Sequence, residues 1–182
     1  MQDRRITYYI YDDLGHLRYV LPPSANIQAT TSPDQLPEDC FYYEYDEYNH
    51  ICKQYIPGAS YTLFLYDKRG RLVMKQNGEQ RKNRQWTFTK YDIFDRPIME
   101  GIYSGGTYET HKAALANQTN FGEEIDRAAY NYTNQCYPNI DNANILNITY
   151  YDDYDWIPDG EDEDRYNYRS EQALGNSVNY KI

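Results

Sequence analysis

The chain holds 28 acidic residues but only three histidines and three cysteines, and this inventory sets the chemistry it has parts for. Two carboxyl groups about 5–9.5 Å apart across a sugar would hydrolyse a glycosidic bond. The acids that recur along the chain, Asp12, Asp46, Asp67, Asp92 and Asp152, each open a turn and have a backbone role there. Asp152, Asp153, Asp155, Asp159 and Glu161 supply the hard oxygen donors that calcium takes, but their spacing is not that of an EF-hand loop, and a turn running into an acidic tail is the simpler reading. A general base would have to come from His16, His50 or His111. His16 and His50 fill the place four after a repeated Asp, where other copies carry Arg71, Arg96 and Trp156. His111 has no partner in sequence and reads as an exposed residue. Cys40, Cys52 and Cys136 are too scattered for a disulfide framework or a zinc site, and Cys52 reads as a small buried hydrophobe on a return strand. No residue is assigned to catalysis, to a metal or to a cofactor, and the chain reads as non-enzymatic.

Tyrosine is the abundant side chain, with 23 copies, and it explains how 16% aromatic content coexists with a mean hydropathy of -0.96. Its ring is apolar and its tip polar, which suits strands that are half dry. Tyr9, Tyr11, Tyr43, Tyr45, Tyr66 and Tyr91 recur at equivalent places on successive strands, the placement of a cross-strand aromatic ladder worth about 0.2–1 kcal/mol per pair. The alternative is ligand stacking, with Tyr43, Tyr45, Tyr66 and Tyr91 lining a groove for a sugar or a partner peptide.

The element that positions these residues is clearest in Phe64 to Met74, FLYDKRGRLVM: two strand-like arms around Asp67-Lys68-Arg69-Gly70. An Asp at the first position of a turn bonds the backbone two residues on, and the fourth position of a type I turn with a bulge requires a left-handed backbone. Aligned on that Asp, the column three residues on reads Gly15, Asn49, Gly70, Asp95 and Asp155. Those are the three residue types that tolerate this conformation. Tyr11, Tyr45, Tyr66, Tyr91 and Tyr151 precede the five Asp. Five residues after it, where the return strand is expected to face inward, stand Leu17, Ile51, Leu72, Pro97 and Ile157. The predicted fold is mainly β: successive antiparallel hairpins forming a curved sheet, with a short helical insertion.

The segments YIYDDLGHLRYVLPP, YEYDEYNHICKQYIPG, FLYDKRGRLVMKQNG and KYDIFDRPIMEG resemble the YD repeats of Rhs proteins, teneurins and insecticidal toxin complexes. The resemblance covers Tyr8 to Gly101 and returns at Thr149 to Pro158. It implies a structural segment of a large β-shell that encloses a C-terminal toxin or is displayed at the cell surface, secreted or packaged with a secretion system. The self-cleaving motif of some such shells contains Asp-Pro, which does not occur here, so that activity is not implied.

The length of 182 residues allows one or two folding units. The expected divisions are four hairpins over 1–104, with a Pro-rich connection over 22–39; an irregular insertion over 105–148; a fifth turn over 149–158; and an acidic tail over 159–182. The hairpins are expected at 6–21, 41–56, 61–76 and 86–100, with a tight turn at Asn77-Gly78. The insertion should contain a helix over 109–117, whereas 123–132 places Ile125, Ala128, Ala129 and Tyr132 near one helical face without strong propensity. A net charge of -10 disfavours nucleic acid and anionic membranes, and the basic run 81–84 reads as a solvated loop. No stretch of about 20 apolar residues provides a membrane span. Both ends read as cut from something longer, so the expected partners are the rest of a polypeptide, a second copy paired through open sheet edges, or glycans.

Overall fold

The computed structural model describes residues 5–24, 39–126, 132–141 and 143–151. The protein is mainly β, and its strands are β1 (Tyr8–Tyr11), β2 (Leu17–Leu21), β3 (Phe41–Tyr45), β4 (Ile51–Tyr55), β5 (Thr62–Tyr66), β6 (Leu72–Gln76), β7 (Gln85–Tyr91), β8 (Pro97–Ser104) and β9 (Asn144–Ile148). They lie in one open sheet in chain order, each pair antiparallel. Two short helices, α1 (Gly78–Lys82) and α2 (Tyr108–Asn117), accompany the sheet among the described residues.

Four of the five expected turns fall within the described residues, and they share one geometry. The Asp amide donates to the carbonyl four residues on, and the amide three residues on donates back, at 2.9–3.1 Å throughout. The third residue after each Asp is left-handed, with φ of 84° at Gly15, 68° at Asn49, 76° at Gly70 and 65° at Asp95. Register shifts by one residue at the Tyr before each Asp, and the extra residue of the bulge lies opposite on the return strand, at Arg18, Cys52, Val73 and Ile98. Gly70→Val should therefore cost about 1–2 kcal/mol in denaturant unfolding, because a β-branched residue is forced left-handed. The exposed Lys68→Ala should cost within about 0.5 kcal/mol, and equal losses would contradict the turn assignment. The fifth turn, with Asp152 and Asp155, the connection over 25–38 and the acidic tail lie outside the described residues.

Three local expectations are corrected. Asn77-Gly78 makes no hairpin turn: Asn77 caps α1, its side chain accepting from the Gln80 amide while Gln80 reaches back to the Asn77 amide, a reciprocal arrangement that starts a helix. The basic run closes that helix, and Arg81 turns inward to donate to Ser60 Oγ (2.7 Å) and the Tyr61 carbonyl (2.9 Å), lying 3.6 Å over the Tyr61 ring. Residues 123–126 are extended, with Glu123 bridging Asp92 and Ile125 bridging Tyr132. The expected helix over 109–117 is present as α2, capped by Thr107.

The core lies one step later than expected on the return strands. Leu17, Ile51 and Leu72 are half-buried and Pro97 is exposed, because each pairs with the Tyr at the mouth of its turn, before the bulge on its own strand. Burial begins at the following residues, Val73 and Met74 on β6 and Ile98 and Met99 on β8. Strand β7 alternates cleanly, with Trp86, Phe88 and Lys90 inward, as the period of a strand requires. Leu115 and His111 of α2, with Tyr132 and Ile140 of the insertion, are buried as well; Leu115, Tyr132 and Ile140 join the core cluster around these strands. At the opposite end of the sheet, all four residues of β1 are exposed.

Candidate functional site

Each repeated Asp organises its turn with both carboxylate oxygens. Oδ1 accepts from the amides two and four residues on at 2.9–3.0 Å in all four copies. Oδ2 accepts from the side chain four residues on: Nδ1 of His16 at 3.3 Å, Nδ1 of His50 at 3.1 Å, Arg71 Nη2 at 2.6 Å and Arg96 Nε at 2.6 Å. His16 and His50 thus occupy the same polar place as Arg71 and Arg96, each beside the Asp of its own turn. The His16 and Leu14 amides hold the Asp12 carboxyl below its usual range against some burial, and Arg69 does the same for Asp95. Asp95 also joins neighbouring turns, accepting from Arg69 (2.6 Å) and Arg71 (2.7 Å).

The tyrosines tie one hairpin to the next. Tyr45 donates its hydroxyl to the Leu17 carbonyl (3.0 Å), Tyr66 to Ile51 (3.0 Å), Tyr91 to Leu72 (2.8 Å) and Tyr151 to Pro97 (3.2 Å). In every case the acceptor lies five residues after the Asp of the preceding hairpin. The same rings cover the Asp partner of that hairpin: His16 stacks on Tyr45 with centroids 4.7 Å apart, and His50 on Tyr66 at 4.6 Å. Arg71 lies 4.5 Å over Tyr91, and Arg96 4.3 Å over Tyr151. A hydrogen bond of about 0.5–1.5 kcal/mol and a stack of comparable size thus recur at each junction. Tyr11, in the first hairpin, is 58% exposed. Tyr43, the remaining ligand-stacking candidate, is half-buried opposite Gln54.

His111 is buried, contrary to the expected exposure, and the reason is its two hydrogen-bond partners. Nδ1 lies 2.5 Å from the Tyr137 hydroxyl and Nε2 3.1 Å from the Gly105 carbonyl, with Trp86 and Tyr103 meeting the ring edge-on. Burial pulls its pKa below the ordinary 6.5, and the Gly105 carbonyl only partly offsets this. Unfolding near that pH therefore takes up a proton, so stability present above about 6.5 is lost as pH falls through the folded-state value. Unfolding free energies at about pH 7.5 and 5.5 should show this loss, and His111→Gln should show a smaller one. Equal losses would place the proton elsewhere.

A second buried polar cluster was not anticipated. Lys90 Nζ donates to Glu123 Oε1 (2.6 Å), Asn134 Oδ1 (2.7 Å) and the Cys136 carbonyl (2.9 Å), so all three ammonium hydrogens are used. The Lys90 and Glu123 side chains are both 0% exposed. Glu123 also accepts from Thr133 Oγ1, the Gln135 amide and the Cys136 amide at 2.6–2.9 Å. The readable signal was the alternation Trp86, Phe88, Lys90, which puts a lysine on an inward face. Burial pushes the neighbouring Cys136 thiol up to about 12, away from the thiolate that makes a cysteine reactive.

Among the described residues, no group of three His, Cys, Asp or Glu converges as metal ligands, and no helix is long and apolar enough to cross a membrane. An open groove of about 580 Å³ runs beside α1, lined by Ser60, Asn77 and Arg81 among others. No protein-family model matches the chain, and no curated protein matches it.

Proposed function

We propose that the chain is a structural, non-enzymatic segment of a YD-type repeat protein of the Rhs kind, one stretch of a wall made of hairpins paired edge to edge. The observation that carries this reading is the junction: at the four junctions among the described residues, the same tyrosine bond and ring contact reach back to the preceding hairpin. The conspicuous acids, two of the histidines and the aromatic residues are thereby spent on holding the sheet together. Work of that kind is mechanical, and the wall would belong to a β-shell that encloses a C-terminal toxin or is displayed at the cell surface.

A wall segment has edges that continue into further strands. Among the described residues β1 is the outermost strand, with Tyr8, Tyr9, Ile10 and Tyr11 all exposed, and an open edge of that composition recruits another strand. Light scattering after size exclusion over a concentration series should show dimers or larger species growing with concentration, with no signal on a glycan array. A monomer at every concentration that binds the array, and loses the signal in Tyr43→Ala, would make the chain a carbohydrate-binding module.

A further inference from the structure

Lys90 Nζ, buried from water together with the Glu123 carboxylate, lies within hydrogen-bond distance of both that carboxylate and the half-buried Asn134 carboxamide. Nζ lies 2.6 Å from Glu123 Oε1 and 2.7 Å from Asn134 Oδ1. We propose that the chain cross-links itself here, through an amide bond between Lys90 Nζ and Asn134 Cγ, with Glu123 carrying the proton and ammonia leaving.

Three features of the site fit the reaction. Nζ is already hydrogen-bonded to the carboxamide it attacks, so the step needs no diffusive encounter. Burial lowers the Lys90 pKa, with Glu123 opposing, so the neutral amine is more accessible than on an exposed lysine. The Asn134 carboxamide is also turned the right way. Its oxygen faces Lys90 and the Ile140 amide, while Nδ2 donates outward to Asn139 Oδ1 and Asp141 Oδ1, both at 3.3 Å on the exposed side. The leaving nitrogen therefore has a route to water.

The step balances without an oxidant or a second substrate. Glu123 takes a proton from the Lys90 ammonium, the freed lone pair attacks Asn134 Cγ, and the Nζ–Cγ bond forms as Cγ–Nδ2 breaks. The two protons that Nζ gives up depart on the leaving nitrogen as ammonium, and Glu123 returns to a carboxylate. Burial raises the Glu123 pKa, but Lys90, Thr133 and the Gln135 amide outweigh it and keep the group low. The resting pair is therefore ionic and the proton transfer runs uphill. A reaction that happens once per chain tolerates a slow step. The product ties β7 to the segment after Tyr132, across a sequence separation of 44.

Intact-mass spectrometry of the purified full chain tests this directly. The folded protein should weigh one ammonia, about 17 Da, less than its sequence, and a tryptic digest should contain a branched peptide joining Lys90 to Asn134. Lys90→Arg and Asn134→Ala should restore the full mass, as should Glu123→Gln. A wild-type chain at full mass after prolonged incubation at neutral pH overturns the proposal, and so does ammonia lost from any other site, such as Gln2. The wild-type measurement decides the matter even where a variant does not fold.

Discussion

Glu123→Ala is expected to lower the free energy of unfolding by about 3–5 kcal/mol, the cost of leaving a buried charge without its partner. Its effect is large because the carboxylate is the meeting point of four donors: Lys90 Nζ, Thr133 Oγ1 and the Gln135 and Cys136 amides. Removing it strands an ammonium that has no exposure to water and leaves the insertion without its tie to β7. Loss of the cross-link, which also needs Glu123, adds to the deficit. Lys90→Met combined with Glu123→Leu should recover only the part due to the stranded ammonium, because Thr133 Oγ1 and the Gln135 and Cys136 amides still lose their acceptor. Urea unfolding followed by tryptophan fluorescence reads both variants, because Trp86 lies in the same core. A loss below about 1 kcal/mol for Glu123→Ala would mean that water reaches Lys90.

Tyr91→Ala is expected to cost about 2–3 kcal/mol, whereas Tyr11→Ala at the equivalent place in its own repeat should stay within about 0.5 kcal/mol. The difference follows from position in the array. Tyr91 donates to the Leu72 carbonyl at 2.8 Å, lies under the Arg71 guanidinium at 4.5 Å and packs against the core. Truncation removes part of a buried ring, a hydrogen bond and a cation–π contact together. Tyr11 belongs to the first hairpin of the sheet and is 58% exposed. Equal costs at the two positions would mean that tyrosine acts within its own hairpin and not across the junction.

The turns were legible because their requirement is local. A left-handed residue three places after an Asp needs Gly, Asn or Asp whatever surrounds it, and Gly15, Asn49, Gly70 and Asp95 all adopt that backbone. The order of β3 to β8 followed, since hairpins with short connections pair with their neighbours, and the chain keeps the same order across its two long connections, before β3 and before β9. The junction was only half legible. Tyrosine before Asp and His or Arg after the turn were visible as columns, but their meeting lies between different repeats, at separations as large as 54 residues for Tyr151 and Pro97. Nothing within one copy points to it. The same holds for His111, whose burial depends on Tyr137 at a separation of 26, and for Lys90, whose partners lie 33 to 46 residues away. The inward place of Leu17, Ile51, Leu72 and Pro97 was misread because the bulge just after each of them, at Arg18, Cys52, Val73 and Ile98, moves the alternation by one residue.

The most direct measurement is a set of double-mutant cycles at three junctions: Tyr45 with His16, Tyr66 with His50 and Tyr91 with Arg71. Each pair joins two hairpins, and each is read by equilibrium unfolding of the two single variants and the double. Coupling energies of about 0.5–1.5 kcal/mol at all three, with one sign, are the predicted result. Additivity within about 0.3 kcal/mol at every junction would contradict a wall held together by its tyrosines.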